Sequence, residues 1–258
     1  MRRFALILVT AAAVAALAGG WFVMRADAPR AQVSAQMSTE GAKRDPFEQR
    51  VREYLLKNPE VIMEALQVLQ QRQHTAEAEN LKRTIAERSE EILNDPGAPV
   101  GGNPEGAITL VQFFDYNCPY CRRVAPTMLE LAEADPDLRL VYKEFPILGP
   151  GSQFAARAAL ASRRQGKYVP FHNALMRATE QVTEDTVMTA ARDVGLDIEQ
   201  LRADMQAPAI QEAIARNLQL AQALGITGTP SFIIGDRVVP GAVDLGTLQG
   251  LIAGVRRS

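Results

Sequence analysis

Two cysteines set two residues apart are the chemistry most open to this chain. Cys118 and Cys121, in the stretch FFDYNCPYCRRVAP, are its only thiols in 258 residues. A pair so placed can clip a metal ion, staple the chain, or cycle between dithiol and disulfide. Zinc asks for four ligands, or three and a water. The two histidines, His74 and His172, stand far from the pair and lack ligand spacing to it. Copper(I) needs only two or three soft thiolates, so a copper-binding alternative stays open. A bridge across two residues removes little entropy from the unfolded chain, which makes it a poor staple. The redox reading is the one the spacing favours.

The surrounding elements agree with it. AITLVQFFDY reads as a strand, and the pattern after it predicts a helix over 118–134. Cys118 would then open a helix, where unpaired N–H groups and the helix dipole favour thiolate over thiol. Pro119 has no N–H to waste in a first turn. Cys118 is expected to be the exposed attacking sulfur, and Cys121, a turn further on, the more buried resolving one. Arg122 and Arg123 either favour the thiolate further or are solvated surface. Glu144, in YKEFPIL, reads as a buried carboxylate near Cys121 or, more commonly, as a charge at a strand edge, and stays outside the site. Phe113 and Phe114 are expected in the core.

Further out, LRLVYKEFPIL predicts a second strand, and 153–224 a helical stretch broken near Gly166, Gly195 and Pro208. SFIIGDRVVPG predicts two short strands around Gly235 and Asp236, and DLGTLQGLIAGVRRS a closing amphipathic helix. This is an α/β layout with a mixed sheet. No internal repeat and no glycine-rich phosphate loop occurs.

The N-terminal third is organised differently. Arg2 and Arg3 precede 21 uncharged, mostly apolar residues that include Trp21, an export signal in form. Ala26-Asp27-Ala28 has the small-x-small pattern of a cleavage site, but Pro29 would follow it, and the run is near the ~20 residues that span a bilayer. A cleaved signal and a retained anchor over 1–28 both remain open, and both place the rest outside the cytoplasm, where disulfides persist. Residues 29–44 read as a flexible tether. Asp45-Pro46 and Asn58-Pro59 each look like a helix cap and first turn, with Glu48 placed to complete a capping box. The second helix meets no Gly or Pro from Pro59 until Pro96. Its apolar residues Val61, Ile62, Met63, Leu66, Val68 and Leu69 outnumber those of its thin second half, Leu81, Ile85 and Ile92. A stripe on a polar stalk buries too little to hold itself, so residues 45–95 are expected to join subunits rather than pack on their own domain. The Pro- and Gly-rich stretch 94–106 reads as the boundary loop. A formal charge of −2 gives no footing for nucleic acid.

CPYC at a helix start, a helical insertion and then GITGTPSFII together resemble the DsbA-like family of bacterial envelope disulfide oxidoreductases. The resemblance covers roughly 98–258 and implies a thioredoxin fold with a helical insertion over 153–224. It also implies a cis proline at Pro230 after Thr229, facing the cysteines beside Pro119 and Tyr120. VREYLLKNPEVIMEALQVLQQRQ is similar to the N-terminal helical region of suppressor-of-copper-sensitivity C proteins, ScsC, which implies a homo-oligomer, trimer favoured and dimer possible. The family likeness further implies a Cys118–Cys121 redox disulfide with no dissociable cofactor, client proteins bearing thiols or disulfides, a membrane redox partner and a periplasmic location. Tyr120 replaces the oxidase prototype's histidine and Thr229 its valine, which leans towards the isomerase or reductase side. A Thr229 hydroxyl can donate towards sulfur, which valine cannot.

Overall fold

The computed structural model describes residues 45–257. The expected signal or anchor over 1–28, Trp21 and the tether over 29–44 lie outside the described residues. The chain divides into two compact units, the first ending at Pro59 and the second beginning at Glu60.

The first contributes α1, Pro46–Lys57, capped where Asp45 Oδ1 accepts from Phe47 N–H at 3.1 Å. Asn58 does not cap the following helix as expected. Its side chain donates to Tyr54 O at 2.9 Å and so closes α1. Phe47, Val51, Tyr54 and Leu56 are exposed.

The second unit opens with α2, Glu60–Glu87, and α3, Ser89–Leu93. It continues through β1 Val100–Gly102, β2 Ile108–Phe114, α4 Pro119–Ala134 and β3 Leu138–Glu144. Five helices follow: α5 Pro150–Ser162, α6 Tyr168–Met176, α7 Glu184–Asp193, α8 Ile198–Asp204 and α9 Pro208–Ala223. The chain closes with β4 Ser231–Ile234, β5 Arg237–Pro240 and α10 Leu245–Arg256. The strands lie in the order β1-β3-β2-β4-β5, with β2 and β3 parallel and every other pair antiparallel. This is the α/β layout with a mixed sheet that the pattern predicted, and the thioredoxin-like arrangement with a helical insertion that the resemblance implied.

Period-two alternation builds the two faces. Leu110, Phe114, Leu140, Tyr142, Phe232 and Ile234 enter the core beneath α4, the insertion and α10. Val111, Phe113, Val141 and Ile233 enter a second core with Leu220 and Leu224. Ile85 and Ile92 belong to that second core, at 7% and 0% exposed. The end of α2 and all of α3 are therefore part of the sheet's packing, while Ile62, Met63, Leu66, Val68 and Leu69 stay exposed. Among the described residues no helix is long and apolar enough to cross a membrane.

Three local expectations change. The helix predicted through 95 is interrupted at Arg88, which has φ −106° and ψ 17°. No Gly or Pro marks this bend. It sets Ile92 against the sheet, so tertiary burial overrides local propensity. The stretch 94–106 is more than a loop, because β1 adds an edge strand to β3. It can do so because a Cβ on Gly101 would come within 2.9 Å of the Tyr142 ring, and Gly102 sits at φ +63°. The insertion also breaks over 177–183, before the capping box of Thr183 and Thr186.

Candidate active site

The parallel strand β2 delivers the chain to a turn, and the turn delivers Cys118 to the start of α4. Asp115 builds the turn. Its Oδ1 accepts from Asn117 N–H at 2.7 Å and from the Ser152 hydroxyl at 2.6 Å. Its Oδ2 accepts from the N–H groups of Ile147 and Leu148 at 2.8 and 2.9 Å. Cys118 N–H donates to Asp115 O at 3.1 Å. Asn117 Oδ1 accepts from Val182 N–H at 2.7 Å, which ties the 177–183 connection to the same turn. Sequence reading passed over Asp115. The signal was an Asp two residues before Asn117 at a helix start, the grammar of an Asx turn.

Cys118 is the N-cap residue of α4, and Pro119 is its first residue. Tyr120 is 53% exposed, with the Arg123 guanidinium 5.0 Å from its ring centre. Cys121 is sealed, at 0% exposed, and burial pushes its thiol well above the usual range. Cys118 was expected to be exposed. It is the more open of the two but only 4% so, because the loop before β4 covers it.

That loop is placed by register. β4 runs antiparallel to β2 with Phe113 opposite Ser231, so the residues just before Ser231 arrive beside the turn that follows Phe114. Thr229–Pro230 is a cis peptide, and the Cys118 thiol donates to Thr229 O at 3.2 Å. Pro230 O accepts from Gly241 N–H at 2.8 Å, while Thr229 N–H has no partner among the described residues. The six residues singled out in the sequence therefore meet in one place. The two cysteines are unbridged in this structure.

A buried polar cluster begins two residues before Cys118. Glu144 Oε1 accepts from the hydroxyls of Tyr116 at 2.9 Å and Tyr168 at 2.8 Å. Tyr116 also meets His172 Nδ1 at 3.1 Å, where the single hydroxyl proton, given to Glu144, leaves His172 as the donor. Glu144 is no strand-edge charge. β3 lies inside the sheet, and the residue is 1% exposed. Burial raises the Glu144 carboxyl above its usual range and lowers His172 to about 3. Among the described residues no three His, Cys, Asp or Glu side chains converge in a way that could hold a metal ion.

The arrangement makes one sulfur approachable and hides the other, which suits exchange at Cys118. Arg122 is not free surface, because its Nε donates to Tyr116 O at 2.8 Å.

Comparison with known proteins agrees with this geometry. The family described as DSBA-like thioredoxin domain matches residues 109–253, and the copper resistance protein ScsC N-terminal domain matches 44–76. A thioredoxin-like oxidoreductase from Silicibacter pomeroyi DSS-3 is 54% identical, with a TM-score of 0.64 over 66% of this chain and 98% of that one. The catalytic domain of Proteus mirabilis ScsC is 27% identical, with a TM-score of 0.64 over 69% and 99%. A Na(+)/H(+) antiporter NhaA from Herminiimonas arsenicoxydans is 30% identical over 64% of this chain. The match takes in 27% of that antiporter, so the chain spans about a quarter of such curated relatives.

Proposed function

The chain belongs to the DSBA-like thioredoxin-domain family, and from that premise we propose that it is an envelope thiol–disulfide oxidoreductase acting on client proteins through Cys118 and Cys121. The observation that carries the reading is the approach of Thr229 O to Cys118 Sγ at 3.2 Å, beside the cis Pro230, with Cys121 sealed one turn inside.

In the isomerising direction the Cys118 thiolate attacks a client disulfide and another client thiol then displaces it, leaving the protein reduced. In the reducing direction, the Cys118 thiolate attacks one sulfur of a client disulfide. The client S–S bond breaks, its electron pair leaves on the second client sulfur, and that sulfur takes up a proton. Cys121 then gives up its proton and attacks Cys118 Sγ. The mixed disulfide opens, the client leaves as a dithiol, and the protein keeps the two-electron oxidation as a Cys118–Cys121 disulfide. Oxidation of a client is the reverse. Client attack falls on Cys118 because Cys121 Sγ is closed off. The free N–H of Thr229 offers a client strand a backbone partner next to the reacting sulfur.

Tyr120 and Thr229 favour the isomerase or reductase direction, as does an oligomer whose linked sites would be kept from an oxidase's recycling partner. The exposed residues Phe47, Tyr54, Ile62, Met63, Leu66 and Leu69 support self-association through this region, and three subunits are favoured over two on the likeness to ScsC proteins alone. The apolar N-terminal run supports export to the periplasm, by a cleaved signal or a retained anchor, with a membrane redox partner recycling the pair. Refolding of scrambled ribonuclease, together with the pair's equilibrium potential in glutathione buffers, tests the reading. Isomerase activity with a mainly reduced pair is expected. Inactivity in both oxidation and isomerisation contradicts it.

A further inference from the structure

Beside the cysteine pair runs a groove of about 510 Å³ between α4 and the end of α6. Its apolar lining includes Pro126, Leu129 and Met176, and it reaches Pro119 of the CPYC stretch itself. Arg122, Arg123 and Arg177 line it too. Arg83, Arg88, Arg164, Arg202 and Arg256 each have a carboxylate within 4 Å. The three groove arginines have none among the described residues.

Neutral groups hold them instead. Arg122 donates to Tyr116 O at 2.8 Å, Arg177 Nε donates to Asn173 O at 3.0 Å, and Arg123 lies over Tyr120. Each contact fixes a guanidinium while leaving its charge uncompensated. The wall that bears Arg177 is linked to the turn before Cys118 through Asn117 and Val182. The carboxylates on α4, Glu130 and Glu133, stand seven or more residues beyond Arg123, about 10 Å along the axis. Among the described residues Glu180, in the connection after α6, makes no ion pair with Arg177. The result is a pre-ordered cationic groove with an apolar floor, reaching Pro119, the residue after Cys118.

We propose that this groove selects client segments whose reacting cysteine is flanked by aspartate or glutamate. The proposal rests on the oxidoreductase reading above and names the client chemistry that the site prefers. A client sulfur joined to Cys118 brings its neighbours past Pro119. Their apolar parts then cover Pro126, Leu129 and Met176, and their carboxylates meet guanidinium groups suited to bidentate pairing. Exposed ion pairs are individually weak. Three together set an expected preference of about tenfold, or ~1.4 kcal/mol.

The test uses two reduced dithiol peptides, identical except for glutamate or lysine beside the cysteines. Each rate of oxidation by the oxidised full-length protein is divided by that peptide's rate with a small neutral disulfide. This removes the flanking charges' own effect on the thiols. The normalised rates should favour the glutamate peptide about tenfold at low ionic strength. The preference should fall towards unity near ~1 M salt, where screening acts within ~3 Å. It should also shrink in Arg123→Gln and Arg177→Gln, and if either variant misfolds the wild-type salt series still decides. A wild-type ratio within about twofold of one, or a preference that survives salt, overturns the groove's role. Failure to oxidise either peptide, while the pair still cycles with dithiothreitol, overturns the client-protein reading beneath it.

Discussion

Asp115→Asn should loosen the turn that presents Cys118 while leaving the cysteine pair intact. The native carboxylate is 1% exposed and accepts four hydrogen bonds, all between 2.6 and 2.9 Å. Asparagine keeps the shape but has only one accepting oxygen. Turned towards Ile147 and Leu148, that oxygen serves both of their N–H groups, and the new amide can donate to Ser152. Asn117 N–H then faces a second donor. The opposite rotamer is worse, because two N–H groups face the amide. One unsatisfied buried donor and the loss of charge assistance on the remaining bonds come to about 2–4 kcal/mol. Urea unfolding of the reduced protein measures this loss. Exchange with a disulfide peptide should slow at least about tenfold, because small misplacements of a reacting atom are costly. Ser152→Ala, which removes one of the four bonds, should cost only about 1 kcal/mol. A loss below about 0.5 kcal/mol in Asp115→Asn, with exchange unchanged, would refute the view that this carboxylate sets the geometry.

The pH dependence of stability separates two of the buried titrating groups, His172 and Glu144. His172 resists protonation down to about 3, while the unfolded chain protonates near 6.5, so this group makes stability fall as pH drops through that window, by up to about 1.4 kcal/mol per unit. Glu144 acts oppositely. Its raised carboxyl holds a proton that the unfolded chain releases above 4.5, so its contribution is full below that value and is lost as pH rises. Glu144→Gln should therefore gain on wild type between pH 5 and pH 8 in urea titrations, and a gap that stays constant or shrinks contradicts the assignment. Ile92→Ala should cost about 2–4 kcal/mol, since the side chain is fully buried in the sheet's second core, and a change under 1 kcal/mol would detach α3 from that core. Alkylation of the reduced protein near pH 6, read by mass spectrometry, should mark Cys118 far sooner than Cys121, and equal labelling would undo the division of roles.

What the sequence revealed and what it hid have a common cause. CPYC, Thr229-Pro230 and the strand and helix order are written in local residue types, so their arrangement could be read before any packing was known. The bend at Arg88 carries no local mark, because it answers to where Ile92 must be buried. β1 was hidden because two of its three residues are glycines, kept there by the close approach of Tyr142 and Leu138 rather than by strand propensity. Glu144 looked like an edge charge because its partners Tyr116 and Tyr168 are 28 and 24 residues away. The near-closure of Cys118 followed from a loop 111 residues downstream, whose distance from the sulfur only the β2–β4 register sets.

Trapping of clients tests the central claim most directly. With Cys121→Ala the resolving thiol is gone, so a mixed disulfide formed at Cys118 has no internal route to release. Cells expressing this variant should accumulate dithiothreitol-sensitive adducts joined through Cys118, and cells expressing Cys118→Ala should show none. Absence of adducts in Cys121→Ala, or equal adducts in both variants, would contradict exchange with proteins through an attacking Cys118 and a resolving Cys121.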